Sequence, residues 1–337
     1  MIGGRLLGQG VYGCTFEPAP ACAGGPVFKE IGGLPAVGKV TTDDIRAELT
    51  AGQRIMRLPL ASQYFALPSQ GCTAAMPLID KDASSCGVVE EARVTGQKLS
   101  LLVMPNGGQD LYSWAHNLPL LAANYLRLFK HCLEGMIIFQ SAGYVHNDIH
   151  MGNILVDSRG VGRYIDFGIA YRPAELRVWK ESNLSQTFRP KYLWDAPELH
   201  IYRALLSGVR IPVAVAQIKQ NIGEYDALEK QFPGRTVLET AMMQFGEGDI
   251  AMRQRDGVRF LKERAMAMDC WRLGLLFWLL WSDLVSWRGL AGMSLWDQRA
   301  TVRHCLAGLT DFDPRKRSTA AAALASLDPN SRFAVAR

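Results

Sequence analysis

The sequence predicts an α+β protein of two lobes, a small β-rich N-terminal lobe over residues 1–104 and a larger helical C-terminal lobe over residues 105–337. Three observations predict this class. The first hundred or so residues hold short apolar runs separated by Gly and Pro, which is typical of strands joined by turns. From Gly107 onward, apolar residues recur at three- and four-residue steps, which indicates helices. The length of 337 residues is enough for two lobes that share a cleft.

Composition and charge narrow the class of protein further. Hydrophobic residues make up 48% of the chain and charged residues 20%, which predicts a globular protein with a sizeable core. The formal charge is +5, but the Lys and Arg residues are scattered, so we expect no nucleic-acid partner. The strongest apolar run, residues 273–282, is much shorter than the roughly 20 residues that cross a bilayer. It predicts a buried helix, and we expect no membrane partner.

The cysteines predict a reducing environment. All seven are widely spaced, and they form neither CxxC pairs nor a zinc-ligand pattern. The first ten residues lack the layout of a signal peptide, and Ile2 excludes N-myristoylation. These features predict reduced thiols and a cytoplasmic location.

In the N-terminal lobe, strands are predicted in four apolar runs, at residues 4–16, 35–40, 65–69 and 98–105. A helix interrupts them. It begins with two acidic residues and places Ile45 and Leu49 at a helical interval, so residues 43–58 are predicted as the only substantial helix of this lobe. Residues 102–108 form the predicted hinge to the second lobe.

The C-terminal lobe is predicted to be mainly helical. Leu126, Phe129, Leu133 and Met136 recur at helical steps, so residues 121–140 are predicted as a long buried helix. A polar loop, a short apolar stretch and a Gly-containing turn follow. The last third of the chain holds three more predicted helices, at residues 267–285, 296–309 and 318–327.

A glycine-rich stretch near the start predicts a phosphate-binding turn. Gly8, Gly10 and Gly13 form a GxGxxG run, with Gln9 inside it. A dinucleotide fold requires a helix directly after such a run, whereas here an extended segment ending in prolines follows. This context favours a β-hairpin that offers backbone N–H groups to phosphates, and a glycine turn without a ligand remains the alternative.

A lysine on a nearby strand would neutralise those phosphates. Lys39 follows a short apolar strand and precedes the helix that carries Glu48, with which it could pair. Lys29 is the competing candidate. Lys39 is the preferred candidate, because a predicted helix directly follows it.

The loop "HNDIHMGNIL", residues 146–155, could serve a metal or a phosphoryl group. His146 and His150 are four residues apart, but no Glu lies between them and the stretch contains glycine, which argues against a zinc hydrolase. Phosphoryl transfer requires a carboxylate near the acceptor hydroxyl and oxygen ligands for Mg²⁺. Asp148 and Asn153 supply both types on this loop, and Asp166 follows in a DFG tripeptide.

Read in order, these motifs resemble those of the eukaryotic-type protein kinases over nearly the whole chain. Three later motifs extend the resemblance, namely APE at Ala196–Glu198, DCWRLG at Asp269–Gly274 and DPRKRST at Asp313–Thr319. The GQGxYGC stretch, the Pro- and Cys-containing insert after it and the enlarged C-terminal lobe look most similar to kinases of large nucleocytoplasmic DNA viruses.

The resemblance implies a bilobal protein-kinase-like fold and an enzyme that uses ATP and Mg²⁺ to phosphorylate Ser/Thr hydroxyls of proteins, in host cytoplasm or a virion. The implied catalytic residues are Asp148 as the base, Lys39, Glu48 and His150. The implied nucleotide-binding residues are Gly8, Gln9, Gly10, Gly13, Lys39, Leu102 and Met104. The implied Mg²⁺ ligands are Asn153 and Asp166. Glu198 is expected to pair with Arg317, and Asp269 is expected to anchor His146 and Phe167.

Two departures from the family pattern lie in the catalytic loop. Asn147 stands where many kinases have an Arg that receives a loop phosphate, so we expect activity without phosphorylation at Ser182, Ser185 or Thr187. His150 stands where protein kinases usually have a Lys. A His at this position is familiar instead from kinases of small molecules, such as the aminoglycoside phosphotransferase-like group. A small-molecule kinase and a pseudokinase scaffold therefore remain alternatives.

Two further departures concern the hinge and the C-terminal lobe. Pro105 has no N–H to donate to adenine, so Asn106 or a shifted register must supply the donor. Residues 207–261 form an insertion that is expected to add helices, either to dock a substrate or to cover an exposed face.

Overall fold

The chain forms two compact units in the computed structural model, which describes residues 4–10, 13–25, 27–75, 85–178 and 187–334. The first unit consists of Met1–Gln109, Leu155–Ser158 and Arg163–Gly168. The second unit consists of Asp110–Ile154, Arg159–Gly162 and Ile169–Arg337. The first is built on an antiparallel sheet and the second on helices, so the predicted α+β fold class is confirmed.

Within the residues that the structure describes, the sheet of the first unit has six strands. They are β1 Arg5–Gly10, β2 Gly13–Glu17, β3 Glu30–Ile31, β4 Leu34–Thr41, β5 Gln70–Thr73 and β6 Ser100–Pro105. Their order is β1-β2-β4-β6-β5, and β3 pairs with β4. Lys39 lies opposite Thr15 on one side and Leu102 on the other, so it occupies the middle of a central strand.

One predicted strand of this unit is wrong. Residues 65–69 contain only a single bridge, between Phe65 and Tyr164, and the paired strand is β5, which begins at Gln70. Pro68 cannot donate to a ladder, and its ring lies close to Gly52. The apolar run is buried as loop, which hydrophobicity alone does not distinguish from a buried strand.

Three α-helices lie in the described part of the first unit, namely α1 Arg46–Ile55, α2 Ala61–Tyr64 and α3 Gly87–Thr95. Helix α1 is the predicted one. The expectation of a single substantial helix is wrong, because α3 has nine residues and buries Val89 and Ala92. Helix α3 ends at Thr95 and is capped by Gly96, whose φ of 68° is in the left-handed region that glycine adopts without strain.

Two disulfides contradict the prediction that all the thiols are reduced. Cys14 bonds to Cys86, which joins β2 to the start of α3, and Cys22 bonds to Cys72 in β5. The paired residues are 72 and 50 positions apart, so sequence spacing carries no sign of the pairing. The remaining cysteines, Cys132, Cys270 and Cys305, are buried and take no part in these two disulfides.

A second, small sheet consists of β7 Gln109–Asp110, β8 Ile154–Val156 and β9 Gly162–Tyr164, in that order. The helices of the second unit are α4 Leu111–Ala115, α5 Leu118–Ser141, α6 Pro197–Leu206, α7 Ile211–Asn221, α8 Gly223–Gln231, α9 Leu238–Gly248, α10 Ile250–Gln254, α11 Gly257–Ser286, α12 Arg299–Leu309 and α13 Ala320–Leu327. The predicted helices of the C-terminal region are thus present.

Helices α5 and α11 form the centre of the second unit. The rings of Phe129 and Phe277 stack with centroids 4.3 Å apart, and the Tyr125 hydroxyl donates to the Phe277 carbonyl at 2.7 Å. Helix α5 begins where the Asn117 side chain accepts from the Leu120 N–H. Among the residues that the structure describes, no helix combines the length and the apolarity needed to cross a bilayer.

The insertion contributes helices, as expected. Residues 207–261 hold α7, α8, α9, α10 and the start of α11. Tyr225 of α8 is fully buried, its ring lies edge-on to Trp271 of α11, and its hydroxyl donates to the Asp195 carbonyl at 2.7 Å. The insertion is therefore part of the core of the second unit.

Candidate active site

The glycine-rich stretch forms an antiparallel hairpin in the first unit. Strands β1 and β2 pair up to Gly10 and Gly13, and Val11 and Tyr12 lie outside the described residues. A Cβ on Gly13 would come within 2.4 Å of the Val40 carbonyl oxygen, so packing requires glycine there. Among the described residues, a Cβ on Gly8 would meet nothing within 4 Å, and one on Gly10 would meet only a backbone atom at 4.0 Å. Packing against the described part of the chain therefore does not explain these two glycines.

Lys39 lies between two carboxylates of the first unit. Its Nζ is 3.0 Å from Glu48 Oε2 on α1 and 3.3 Å from Asp166 Oδ1. Burial opposes the charge on Lys39, but Glu48 and Asp166 outweigh it, so the pKa of Lys39 is raised above 10.5. Lys29, the competing candidate, is exposed. The structure thus brings together three residues that the sequence selected, and the lysine of this group is Lys39.

Asp166 is held in an unusual backbone conformation. Its φ is 59°, in the left-handed region that a non-glycine residue seldom adopts. The next residue, Phe167, is buried, and its ring lies edge-on to Phe65 at 5.8 Å. Packing of the Phe167 ring therefore helps to fix the direction of the Asp166 carboxylate.

Asp148, His150 and Asn153 lie close together in the second unit. The Asn153 Nδ2 donates to Asp148 Oδ2 at 3.0 Å and to the Asp148 carbonyl at 2.9 Å. This engages the amide nitrogen of Asn153 and leaves its oxygen as the atom suited to a cation. The His150 Nε2 lies 3.8 Å from Asp148 Oδ2.

The tautomer of a neutral His150 follows from its other ring nitrogen. The Gly152 N–H donates to His150 Nδ1 at 3.1 Å, so Nδ1 carries no proton. In the neutral ring the proton is then on Nε2, facing the Asp148 carboxylate. His150 can stabilise negative charge at this place as a hydrogen-bond donor.

The loop that carries Asp148 is fixed from behind by α11. Asp269 accepts from the His146 N–H at 2.6 Å and from the Asn147 N–H at 3.0 Å, so the expected anchoring of His146 is confirmed. Asn147 has a φ of 69°, and its side-chain oxygen accepts from Arg272 Nη2 at 3.3 Å. His146 Nδ1 accepts from the Asp148 N–H at 3.3 Å, which supports a structural role for His146.

Two residues of this region were missed by sequence reasoning. Arg272 is fully buried and contacts Asp269 at 3.1 Å and Asp195 at 3.6 Å. Tyr192 donates from its hydroxyl to Asp148 Oδ1 at 3.2 Å. No local pattern indicates either contact. The one signal for Arg272 is that a charged residue stands next to Trp271 in a mainly apolar helix. Of the loop positions considered for phosphorylation, Ser182 and Ser185 lie outside the described residues.

The hinge residues are engaged with the sheet. Leu102 and Met104 are buried in a small cluster with Val37. The Asn106 N–H donates to the Pro35 carbonyl at 2.7 Å, so this group is already used within the protein. The donor to adenine was expected from Asn106 or from a shifted register. Because the Asn106 N–H is engaged in this contact, the shifted register is the alternative that remains.

The chemistry of the donor set fits Mg²⁺ better than zinc. Within the described parts of the chain, no group of three His, Cys, Asp or Glu residues is arranged to hold a metal. Asp166 offers carboxylate oxygens and Asn153 offers an amide oxygen, and oxygen atoms are the ligands that Mg²⁺ prefers. Both residues remain the candidate ligands.

Comparisons with known proteins point to protein kinases. No family model matches the chain. The chain is 36% identical over 70 residues to cyclin-dependent kinase 12 of Caenorhabditis elegans, which covers 21% of this chain and 9% of the relative. It is 31% identical over 110 residues to sperm motility kinase 2B of Mus musculus, which covers 32% of this chain and 22% of the relative. It is 32% identical over 76 residues to a serine/threonine-protein kinase of Candida glabrata, which covers 22% of this chain and 11% of the relative.

The chain is therefore similar to eukaryotic protein kinases over parts of its length. The matches span less than a quarter of each of these relatives.

Proposed function

We propose that this protein is an ATP-dependent protein kinase that transfers the γ-phosphate of ATP to Ser or Thr hydroxyls of proteins. The observation that carries the proposal is the pairing of Lys39 with both Glu48 and Asp166, at 3.0 and 3.3 Å. Asp166 lies more than 100 positions after Lys39 and Glu48 in the sequence, and the three residues follow the kinase order. The similarity to kinases over partial stretches supports the same assignment.

Each residue of the site has a role in this proposal. The hairpin with Gly8, Gln9, Gly10 and Gly13 covers the triphosphate through its backbone N–H groups, and the open space beside Gly8 suits this use. Lys39 binds phosphate oxygens, and Glu48 holds the ammonium group in place. Leu102 and Met104 flank the base of the nucleotide.

Asp148 is the proposed base, which accepts the proton of the acceptor hydroxyl. The Asn153 amide directs the Asp148 carboxylate, and His150 presents its Nε2 proton beside it. Asn153 and Asp166 would hold Mg²⁺, which when bound neutralises charge on the phosphates. Asp269 keeps the loop in position through the His146 and Asn147 N–H groups.

A small-molecule kinase is the second candidate, and His150 is the observation that favours it. A neutral imidazole stabilises a migrating phosphoryl group less well than a permanent ammonium does. The buried Glu198–Arg317 pair, which belongs to the protein-kinase pattern, favours the first candidate.

The narrower viral assignment and the location in host cytoplasm or a virion also remain proposals. Two disulfides suit an oxidising environment better than a reducing cytosol. Virion surfaces are among the places where disulfides persist, so a virion fits the disulfides better.

A phosphate-transfer assay tests the proposal. Radiolabelled γ-phosphate of ATP is offered with Mg²⁺ to generic proteins and to small hydroxyl acceptors side by side, with Asp148→Asn as the blank. Label on Ser or Thr of the proteins supports the proposal. Label on small molecules alone supports the second candidate, and nucleotide binding without transfer by the wild type contradicts both and supports a scaffold.

A further inference from the structure

Tyr192 contacts the proposed base. Its hydroxyl donates to Asp148 Oδ1 at 3.2 Å, while Asn153 Nδ2 donates to the other carboxylate oxygen at 3.0 Å. An acceptor hydroxyl must approach a base to about 2.6–3.2 Å before it can transfer its proton. The Tyr192 hydroxyl already lies at such a distance. It therefore takes the position on Asp148 that a substrate hydroxyl requires.

The Tyr192 phenol is a donor in this contact. Burial raises the pKa of Tyr192, and the negative charge of Asp148 raises it further. The phenol therefore keeps its proton near neutral pH and donates it to the carboxylate. Tyr192 is nevertheless 45% exposed, so its ring can leave the contact without unfolding the core.

The segment that carries Tyr192 is attached to the same buried group as the catalytic loop. The Tyr192 carbonyl accepts from the Asp195 N–H at 3.2 Å, and the Asp195 carboxylate pairs with Arg203 and Arg272. Arg272 also donates to Asn147, which precedes Asp148. Through Asp195 and Arg272, the Tyr192 and Asp148 backbones are fixed relative to each other. The contact between their side chains therefore belongs to the fold of this unit.

We propose that Tyr192 is a specificity-determining residue that occupies the acceptor position on Asp148, so that a substrate hydroxyl binds by displacing the Tyr192 phenol. This rests on the function proposed above. A bound acceptor must replace the hydrogen bond that it removes. The contact therefore raises the KM for the acceptor and selects acceptors whose flanking groups compensate for the displacement.

Steady-state kinetics of Tyr192→Phe test the proposal, with myelin basic protein as the acceptor and saturating Mg²⁺ and ATP. The variant removes only the hydroxyl. We expect the KM for the acceptor to fall about three- to tenfold, as loss of one partly exposed hydrogen bond to a charged group predicts. The KM for ATP should stay unchanged, because the contact does not involve the nucleotide. Tyr112→Phe, at an exposed tyrosine whose ring contacts His116, is the matched control and should change neither constant.

The outcomes separate this proposal from the proposed function. If the wild type phosphorylates the acceptor and Tyr192→Phe leaves its KM unchanged or raises it, Tyr192 is not an occupant of the acceptor position, while the kinase assignment stands. If neither protein transfers phosphate to any acceptor, both proposals fail. Tyr192→Leu, which removes ring and hydroxyl together, must lower the acceptor KM as well, and this second variant keeps the test decisive if Tyr192→Phe does not fold.

Discussion

The Arg317 guanidinium donates two hydrogen bonds to the Glu198 carboxylate, at 2.6 and 2.9 Å, and neither side chain is exposed. The two residues are 119 positions apart, and the pairing was expected from the kinase resemblance. Arg317 also donates to the Ala267 carbonyl at 3.0 Å, which ties the pair to α11. The pair therefore joins the start of α6 to α11 and to the segment before α13.

Breaking this pair should destabilise the second unit strongly. Glu198→Gln leaves the Arg317 charge buried without its partner, so we expect a loss of about 3–5 kcal/mol in the free energy of unfolding. Urea unfolding of the variant measures it. Arg259→Ala removes an exposed, solvent-screened pair with Glu263 and should cost much less. Equal losses in the two variants would contradict the assignment of a structural role to the buried pair.

His200 should make the protein sensitive to acid. Burial lowers the pKa of His200 from 6.5 to about 4, and Arg203 adds to this while Asp195 and Glu198 oppose it. Because the unfolded chain takes up a proton between these values and the folded chain does not, stability is lost as pH falls from 6.5 towards 4. The loss reaches about 3 kcal/mol.

The pH dependence of urea unfolding for wild type and His200→Leu measures this effect. The variant should lose most of the slope between pH 6.5 and 4, whereas His116→Leu, at an exposed histidine, should keep it. An identical slope in wild type and His200→Leu would show that other groups cause the acid sensitivity.

Reduction should destabilise the first unit. Each disulfide closes a long loop, and its loss is expected to cost about 2–4 kcal/mol. Thermal unfolding with and without dithiothreitol measures the effect. A variant with Ser at Cys14, Cys22, Cys72 and Cys86 should melt at the same temperature under both conditions. Thiol titration of the denatured, unreduced protein should find three groups, and seven would contradict the disulfides.

Lys39→Met should lower kcat/KM for phosphate transfer by about 100-fold, because an electrostatic contact to the phosphates is lost. Kinetics with varied ATP measure it. Lys29→Met is the matched control, since Lys29 was the competing candidate and is exposed. A loss of activity in Lys29→Met with normal activity in Lys39→Met would reverse the assignment.

Local patterns predicted much of the fold. Helical periodicity located α5 and α13, because side chains three and four positions apart share one face of a helix. The order of the glycine run, Lys39, Glu48, Asp148 and Asp166 identified the candidate site. The buried segment at residues 65–69 was misassigned because an apolar run fits a strand and a buried loop equally well.

The sequence by itself determined which residues carry the candidate chemistry and which class of fold presents them, because both depend on short spacings along the chain. Only the tertiary structure decided that Cys14 meets Cys86, that Arg272 supports Asn147, and that Tyr192 takes the hydrogen-bond position on Asp148. The physical reason is the same for all three. Each contact joins residues 44 or more positions apart, and their distance in space depends on how whole strands and helices pack, which no local pattern records.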